Sequence, residues 1–236
     1  MFNFSYTTTD NTRLRYVDDV TSTDVSLSYH TLKGNNPSKK GDLIAFYPSD
    51  SYGVVSTDAI PDAVYKVEGE RSDDEQYIAN IPRQAADYVF VYVQGSTATE
   101  LQSTPFANVK ATSLLTLLYG QTNGTATDIT LAIKSIGKLV EFSYSGIENT
   151  TPANVAWVGI WKGKTPALNS PPDFYYVING DYYGKFGIKG LIQNTDYFIG
   201  YFTDGYNADK SQLNTAHLAA YISFNSTFIQ ENDIEE

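Results

Sequence analysis

Two short segments in the first half of the chain, residues 41–48 and 86–92, constrain the fold more than any other feature. Each has an aspartate near its start, Asp42 or Asp87, and then runs through aliphatic and aromatic residues to a tyrosine. Short runs of this composition are typical of buried β-strands. Residues 88–93 form the most apolar strand candidate of this half, so we place them at the centre of a sheet.

The composition of the whole chain favours sheet over helix. Of its 236 residues, 42% are hydrophobic, and 19 Tyr and 12 Phe are among them. These side chains suit a pleated, half-buried surface. No long run has helical periodicity. Residues 109–119 are the one plausible helix, although this segment could also be a buried strand. We therefore predict an all-β fold.

Strand candidates recur along the chain between Gly, Pro, Asn and Asp residues. Residues 25–29 alternate apolar and polar side chains, as do residues 129–133 and 140–144. Asn123-Gly124 is a strong turn signal near the middle of the chain. With six or seven strands on either side of it, we predict two tandem β-sandwich domains, residues 1–122 and 123–236.

Charge and cysteine content exclude several classes of function. The net charge is -11 and the basic residues are scattered, so no basic face is available for a nucleic acid or an anionic membrane. No segment approaches the roughly 20 apolar residues that span a bilayer. The absence of cysteine excludes disulfides and thiolate sites. The first residues carry no export signal, so we expect either a trimmed secreted protein or one outside the general secretory route.

The polar residues point to no reaction. His30 and His217 are the only histidines, and no Gly-x-Ser-x-Gly motif accompanies them. Two acidic loops could hold calcium, but Asx turns explain both. We predict no catalytic residue, no cofactor and no metal site, and we do not interpret the chain as an enzyme.

Two tyrosine pairs, Tyr175-Tyr176 and Tyr182-Tyr183, could contact a sugar ring. Neighbouring side chains of a strand point to opposite faces, so one tyrosine of each pair faces outward. Tyr175 and Tyr182 are the candidates for ligand contact. The alternative is that the outward tyrosine simply covers the sheet.

The order of several segments resembles the fimbrillin family, the type V pilins and related surface proteins of Bacteroidota. The resemblance covers about residues 12–145. It is carried by Thr12-Arg13, by Gly41-Asp42-Leu43-Ile44, by the segment from Asp87 to Tyr92, by Leu117-Leu118-Tyr119-Gly120 and by the alternating residues 129–140. The sequence departs from the family at Lys134, where the family has histidine, and in lacking a lipobox cysteine.

This resemblance implies two transthyretin-like, Greek-key sandwiches in a fimbrillin-like pilin or adhesin at the cell surface. Subunits of the family are cleaved after an arginine near the N-terminus and joined by donor-strand exchange, in which a neighbour's strand fills an exposed groove. Arg13 and Arg15 are the candidates for processing. The implied partners are other protein subunits and a host or bacterial surface protein or glycan.

Two further interpretations stay open. A bacteriophage virion protein, such as a head or tail fibre or decoration subunit, would also be acidic and free of cysteine. A glycan-binding surface protein would use the exposed tyrosines.

Overall fold

The computed structural model describes residues 6–7, 10–21, 24–50, 52–78, 80–81, 87–118, 124–135, 139–147, 156–165, 167–178, 182–192 and 194–226. The chain forms two compact units. The N-terminal unit contains residues 11–129 and 147–152, and the C-terminal unit contains residues 1–10, 130–146 and 153–236. The described residues are mainly antiparallel strands, which confirms the predicted all-β fold.

Short helices interrupt the strands only in connections. The first ten strands are β1 (Tyr6–Thr7), β2 (Asp10–Asn11), β3 (Arg13–Thr21), β4 (Asp24–His30), β5 (Leu43–Ser49), β6 (Ala63–Lys66), β7 (Asp73–Ile78), β8 (Asp87–Val93), β9 (Ala111–Leu117) and β10 (Thr125–Asp128). The remaining strands are β11 (Thr130–Ser135), β12 (Leu139–Ser145), β13 (Trp157–Lys162), β14 (Phe174–Val177), β15 (Tyr183–Lys189), β16 (Asp196–Phe202) and β17 (Leu218–Asn225). The helices are α1 (Pro37–Lys40) and α2 (Ala98–Leu101), with single 3-10 turns at Phe106–Asn108 and Lys210–Gln212.

The N-terminal unit is a sandwich of a five-stranded sheet, β10-β9-β8-β5-β6, and a three-stranded sheet, β3-β4-β7. The chain crosses to the second sheet through β7 and returns to β8 on the far side of β5, a crossing of the Greek-key type. The central position of β8 confirms the prediction for residues 88–93. Strands β5 and β8, which contain most of the segments 41–48 and 86–92, are direct neighbours in this sheet. Ile44 lies opposite Tyr92 and Phe46 opposite Phe90.

The C-terminal unit repeats this topology strand for strand. Its five-stranded sheet is β14-β13-β16-β17-β2, and its four-stranded sheet is β1-β11-β12-β15. Strands β11 to β17 therefore take the places of β3 to β9 in the same chain order. The differences lie at the edges, where β1 is added beside β11 and where β2, from the start of the chain, takes the place beside β17 that β10 has beside β9.

The repeat extends to individual residues. Strands β8 and β16 both begin Asp-Tyr, carry tyrosine at their sixth position, and are buried in the same pattern. Tyr29 of β4 lies 6.0 Å from Tyr92 of β8, and Tyr144 of β12 lies 6.2 Å from Tyr201 of β16, measured between ring centroids. Strands β9 and β17 each carry an irregularity in register opposite the last two residues of the neighbouring strand. The units thus share one architecture in detail.

Glycine is needed where Tyr29 and Tyr144 meet the backbone of a neighbouring segment. A Cβ atom on Gly69 would overlap the hydroxyl of Tyr29, and one on Gly184 would overlap that of Tyr144. Both glycines leave room for a buried phenol.

The structure specifies two features of the middle of the chain that the sequence left less certain. The segment 109–119 holds strand β9 rather than a helix, because its side chains pack between β8 and β10. The boundary expected between residues 122 and 123 also differs from the division observed. Strand β10 pairs with β9, so Gly124 and the residues after it up to Ile129 belong to the N-terminal unit, while residues 1–10 belong to the C-terminal one.

The N-terminal unit contains a buried carboxylate at the start of β5. Asp42 is 1% exposed, and its Oδ2 atom accepts hydrogen bonds from Asn35 Nδ2 and from the Tyr92 hydroxyl, both at 2.8 Å. Burial raises the pKa of Asp42 above its ordinary value, although the hydrogen bonds from Asn35, Tyr92 and Gln94 favour the charged form. Burial and the nearby carboxylate also raise the pKa of Tyr92. Asp42 thus ties the start of β5 to the end of β8.

We expect Tyr92→Phe to lower the free energy of unfolding of the N-terminal unit by about 1.5–3 kcal/mol, because it removes a donor from a buried carboxylate. Tyr201→Phe is the matched control, since burial and Tyr144 rather than a carboxylate raise the pKa of Tyr201. Urea unfolding followed by tryptophan fluorescence reports on the C-terminal unit, because both tryptophans lie there, whereas circular dichroism reports on both units. Tyr92→Phe should shift the circular dichroism transition and leave the tryptophan fluorescence transition in place. Equal effects of the two variants would contradict the role of Asp42.

The raised pKa of Asp42 also predicts a pH dependence of stability. Between the ordinary value of 3.8 and the higher pKa of the folded state, the folded protein holds a proton that the unfolded chain has lost. The contribution of Asp42 to stability is therefore fully present below that window and is lost as the pH rises through it. Asp42→Asn removes the titrating group. The free energy of unfolding of the variant minus that of the wild type should therefore rise with pH across the window. A constant difference would contradict the prediction.

Candidate functional site

A surface cleft in the C-terminal unit lies along the edge strands of its two sheets. Strand β14 is the edge of the five-stranded sheet and β15 the edge of the four-stranded sheet. The cleft has a volume of about 320 Å³. Its lining residues are Asp173, Phe174, Tyr175, Gly187, Ile188, Lys189 and Lys210.

Tyr175 is the aromatic residue around which this cleft is organised. The Lys210 ammonium lies 5.0 Å from the centroid of its ring, a cation–π contact, and the Tyr206 ring lies 6.0 Å away. The Tyr175 side chain also packs against the cluster formed by Trp157, Trp161, Phe198 and Phe202 on the outer face of the five-stranded sheet. Tyr175 is thus held in place from one side and faces a cation on the other.

The tryptophan cluster anchors the loops that carry the polar residues of the cleft. Trp157 Nε1 donates to the carbonyl of Asp204 at 3.0 Å, and Trp161 Nε1 donates to the carbonyl of Ser170 at 2.8 Å. Asp209 then caps the 3-10 turn that contains Lys210, accepting from the Ser211 amide at 3.0 Å. These bonds fix two loops over the sheet and place Lys210 above Tyr175.

The cleft is positively charged. Its acidic residue, Asp173, is already engaged by Lys162, through the backbone amide at 2.9 Å and through Nζ at 3.5 Å. Lys189 and Lys210 form no ion pair with a carboxylate among the residues that the structure describes. Within the described part of the chain these two cationic groups thus have no carboxylate partner, although the net charge of the whole chain is -11.

The structure separates the two tyrosines that the sequence nominates for ligand contact. Tyr182 packs edge-on against Tyr183, with ring centroids 5.0 Å apart, and does not line the cleft. Tyr176 points away from Tyr175 and stacks on Phe186 at 4.7 Å. Tyr175 is therefore both a sheet-covering residue and a cleft residue. The sequence did not indicate Lys189 and Lys210 as site residues, because nothing in it shows that two isolated lysines lie close together in the fold.

The two arginines proposed for processing lie in β3 of the N-terminal unit. Arg13 Nε donates to Asn11 Oδ1 at 2.7 Å. Arg15 forms a two-point ion pair with Asp128, which also accepts from the Ser113 hydroxyl at 2.8 Å. Both arginines are paired in register with β4. A protease would therefore need local opening of β3 to reach either bond.

The two histidines lie in different units. His217 lies with its Nε2 atom 3.8 Å from Asp204 Oδ2 in the C-terminal unit, and His30 lies in β4 of the N-terminal unit. No group of three or more His, Asp or Glu residues is arranged there as a metal site. None of the helices in these ranges is long and apolar enough to cross a bilayer.

Comparison with known proteins adds little. No family model matches the chain, and no curated protein matches it. Among solved structures, the FN1–FN3 domains of chicken CNTN1 match at 9% identity and a TM-score of 0.29, over 92% of this chain and 68% of that one. Domains MG0-NIE-MG1 of Escherichia coli alpha-2-macroglobulin match at 6% identity and a TM-score of 0.23, over 89% and 63% of the two chains. CBD12 from CALX1.2 matches at 9% and 0.22, over 80% and 77%. Similarities this weak carry no argument about function.

The pairing of Arg15 predicts its resistance to proteolysis. With an arginine-specific protease, cleavage after Arg71, whose side chain is 74% exposed, should precede cleavage after Arg15 by about tenfold or more. Asp128→Asn weakens the ion pair and should speed cleavage after Arg15 while leaving that after Arg71 unchanged. Mass spectrometry of timed digests measures both bonds in one sample, so Arg71 serves as the internal control. Equal initial rates in the native protein would show that β3 is open.

Proposed function

We propose that the protein is a non-enzymatic structural or adhesive subunit of an extracellular surface assembly, a fimbrillin-like pilin or adhesin joined to its neighbours by donor-strand exchange. The observation that carries this proposal is β1. This strand precedes the N-terminal unit in sequence but belongs to the C-terminal unit, where it pairs with β11 at the sheet edge.

Strand β1 is an edge addition to its sheet. Its described residues pair with β11, Tyr6 opposite Ile133 and Thr7 opposite Ala132. An edge strand supplied by a segment distant in sequence can exchange with an equivalent strand from another chain, since main-chain hydrogen bonds do not depend on which chain supplies them.

Strand β2 makes a second addition on the same side of this unit. It lies beside β17 in the five-stranded sheet, while β1 lies beside β11 in the four-stranded sheet. Both strands precede Arg13. A cut after Arg13 would therefore release an edge strand from each sheet of one sandwich.

Release of these strands would open an apolar groove. Leu131 and Ile133 of β11 and Phe224 of β17 are all less than 5% exposed in the intact chain. With β1 and β2 gone, two unpaired edges would flank these side chains, which is the arrangement that an incoming strand completes. The segment order that resembles the fimbrillin family supports the same proposal.

A chain that lacks residues 1–13 should self-associate, because its open edges and groove can pair with strands of other copies. Size-exclusion chromatography with light scattering measures the association, and electron microscopy distinguishes filaments from closed particles. The intact chain at the same concentration is the control. A synthetic peptide of residues 1–13 should bind the shortened chain and suppress association, whereas a scrambled peptide should not. A shortened chain that stays monomeric and ignores the peptide would refute strand exchange.

A further inference from the structure

The cleft between β14 and β15 combines three properties of a binding site. Its volume of about 320 Å³ suits a small ligand. Its lining joins apolar side chains, Phe174 and Ile188, to a small number of polar groups. Its charge comes from Lys189 and Lys210, which have no carboxylate partner among the described residues.

The two lysines define the charge of the ligand. Ammonium groups only donate hydrogen bonds, so their preferred partner is an anionic acceptor such as a carboxylate or phosphate. The Lys210 ammonium is held over the Tyr175 ring, and Lys189 extends from a strand rather than a loop. The Lys210 ammonium is thus placed before a ligand arrives, which lowers the ordering cost of binding.

The net charge of the protein limits how many charges the ligand can carry. At a net charge of -11, the chain repels polyanions such as nucleic acids that come within about 10 Å, the distance beyond which salt screens the repulsion. A ligand with one anionic group among neutral polar groups gains the contact with the lysines at little cost. Single carboxylates therefore fit better than polyphosphates.

The remaining groups favour a sugar as the carrier of that carboxylate. A pyranose ring has an apolar face, which suits Phe174, and hydroxyls that can donate to the Asp173 carboxylate in addition to its contacts with Lys162. Gly187 leaves the backbone of edge strand β15 without a covering side chain. We propose that this cleft binds a carboxylated sugar, a hexuronic acid residue of a glycan, with its carboxylate held between Lys189 and Lys210. The binding activity is independent of strand exchange.

The test is a titration of the intact ¹⁵N-labelled protein with glucuronic acid, glucose or acetate at equal ionic strength, followed by NMR. Glucuronic acid should produce saturable shifts at the cleft residues, with a dissociation constant on the order of 1 mM. Glucose and acetate should each bind at least about tenfold more weakly, since each supplies only part of the contact. Equal affinity for acetate would overturn the sugar assignment, and the absence of saturable shifts would overturn the site.

Three variants locate the site. Lys189→Gln and Lys210→Gln should each weaken glucuronic acid binding by about fivefold or more, as expected for the loss of a charge-assisted hydrogen bond. Lys66→Gln removes the same charge at an exposed position of β6 in the other unit and should leave the affinity unchanged. If Lys66→Gln weakens binding as much as the cleft variants, the interaction is general electrostatics and the proposal fails. Because these variants leave residues 1–13 in place, the outcome is separate from that of the strand-exchange experiment.

Discussion

The hydrogen bond between the Tyr92 hydroxyl and the Asp42 carboxylate is the constraint on which the N-terminal unit depends. A carboxylate buried without a cation is unfavourable unless donors surround it. Asn35, Tyr92 and Gln94 provide those donors, and each must be in place for the site to be satisfied. The hydrogen bond from Tyr92 joins the end of β8 to the start of β5, and it fits the observed register, in which Ile44 lies opposite Tyr92 and Leu43 opposite Val93.

The C-terminal unit keeps the same frame without this carboxylate. Its tyrosine pair, Tyr144 and Tyr201, occupies the positions of Tyr29 and Tyr92, and an added aromatic ring, Tyr176, packs beside Tyr144. On the outer face of its five-stranded sheet, the tryptophan cluster holds the loops in place. The N-terminal unit covers the corresponding face with Tyr47 and Phe106, whose ring centroids are 5.1 Å apart. One topology is thus stabilised by different chemistry in its two copies.

The two proposals concern opposite sides of the C-terminal sandwich. Strands β1 and β2 end its two sheets on one side, and β14 and β15 end them on the other. Exchange of the first pair would leave the cleft beside the second pair accessible. A subunit built in this way could be joined to a neighbour through one side while the other contacts a glycan. This division of the two proposals follows from the sheet order of the C-terminal sandwich, which has an edge on either side.

The sequence by itself determined the all-β fold, most strand positions and the central place of residues 88–93. These features depend on local composition and on the two-residue period of strands, which neighbouring residues encode. Asn123-Gly124 is a turn signal in the sequence, but such a signal does not distinguish a connection within a unit from a domain boundary. Only the tertiary structure decided that β1 joins the C-terminal unit, that Lys210 lies over Tyr175 and that Lys189 lines the same cleft. Such pairings join residues distant along the chain, so their free energy comes from burial and backbone hydrogen bonds formed only after folding.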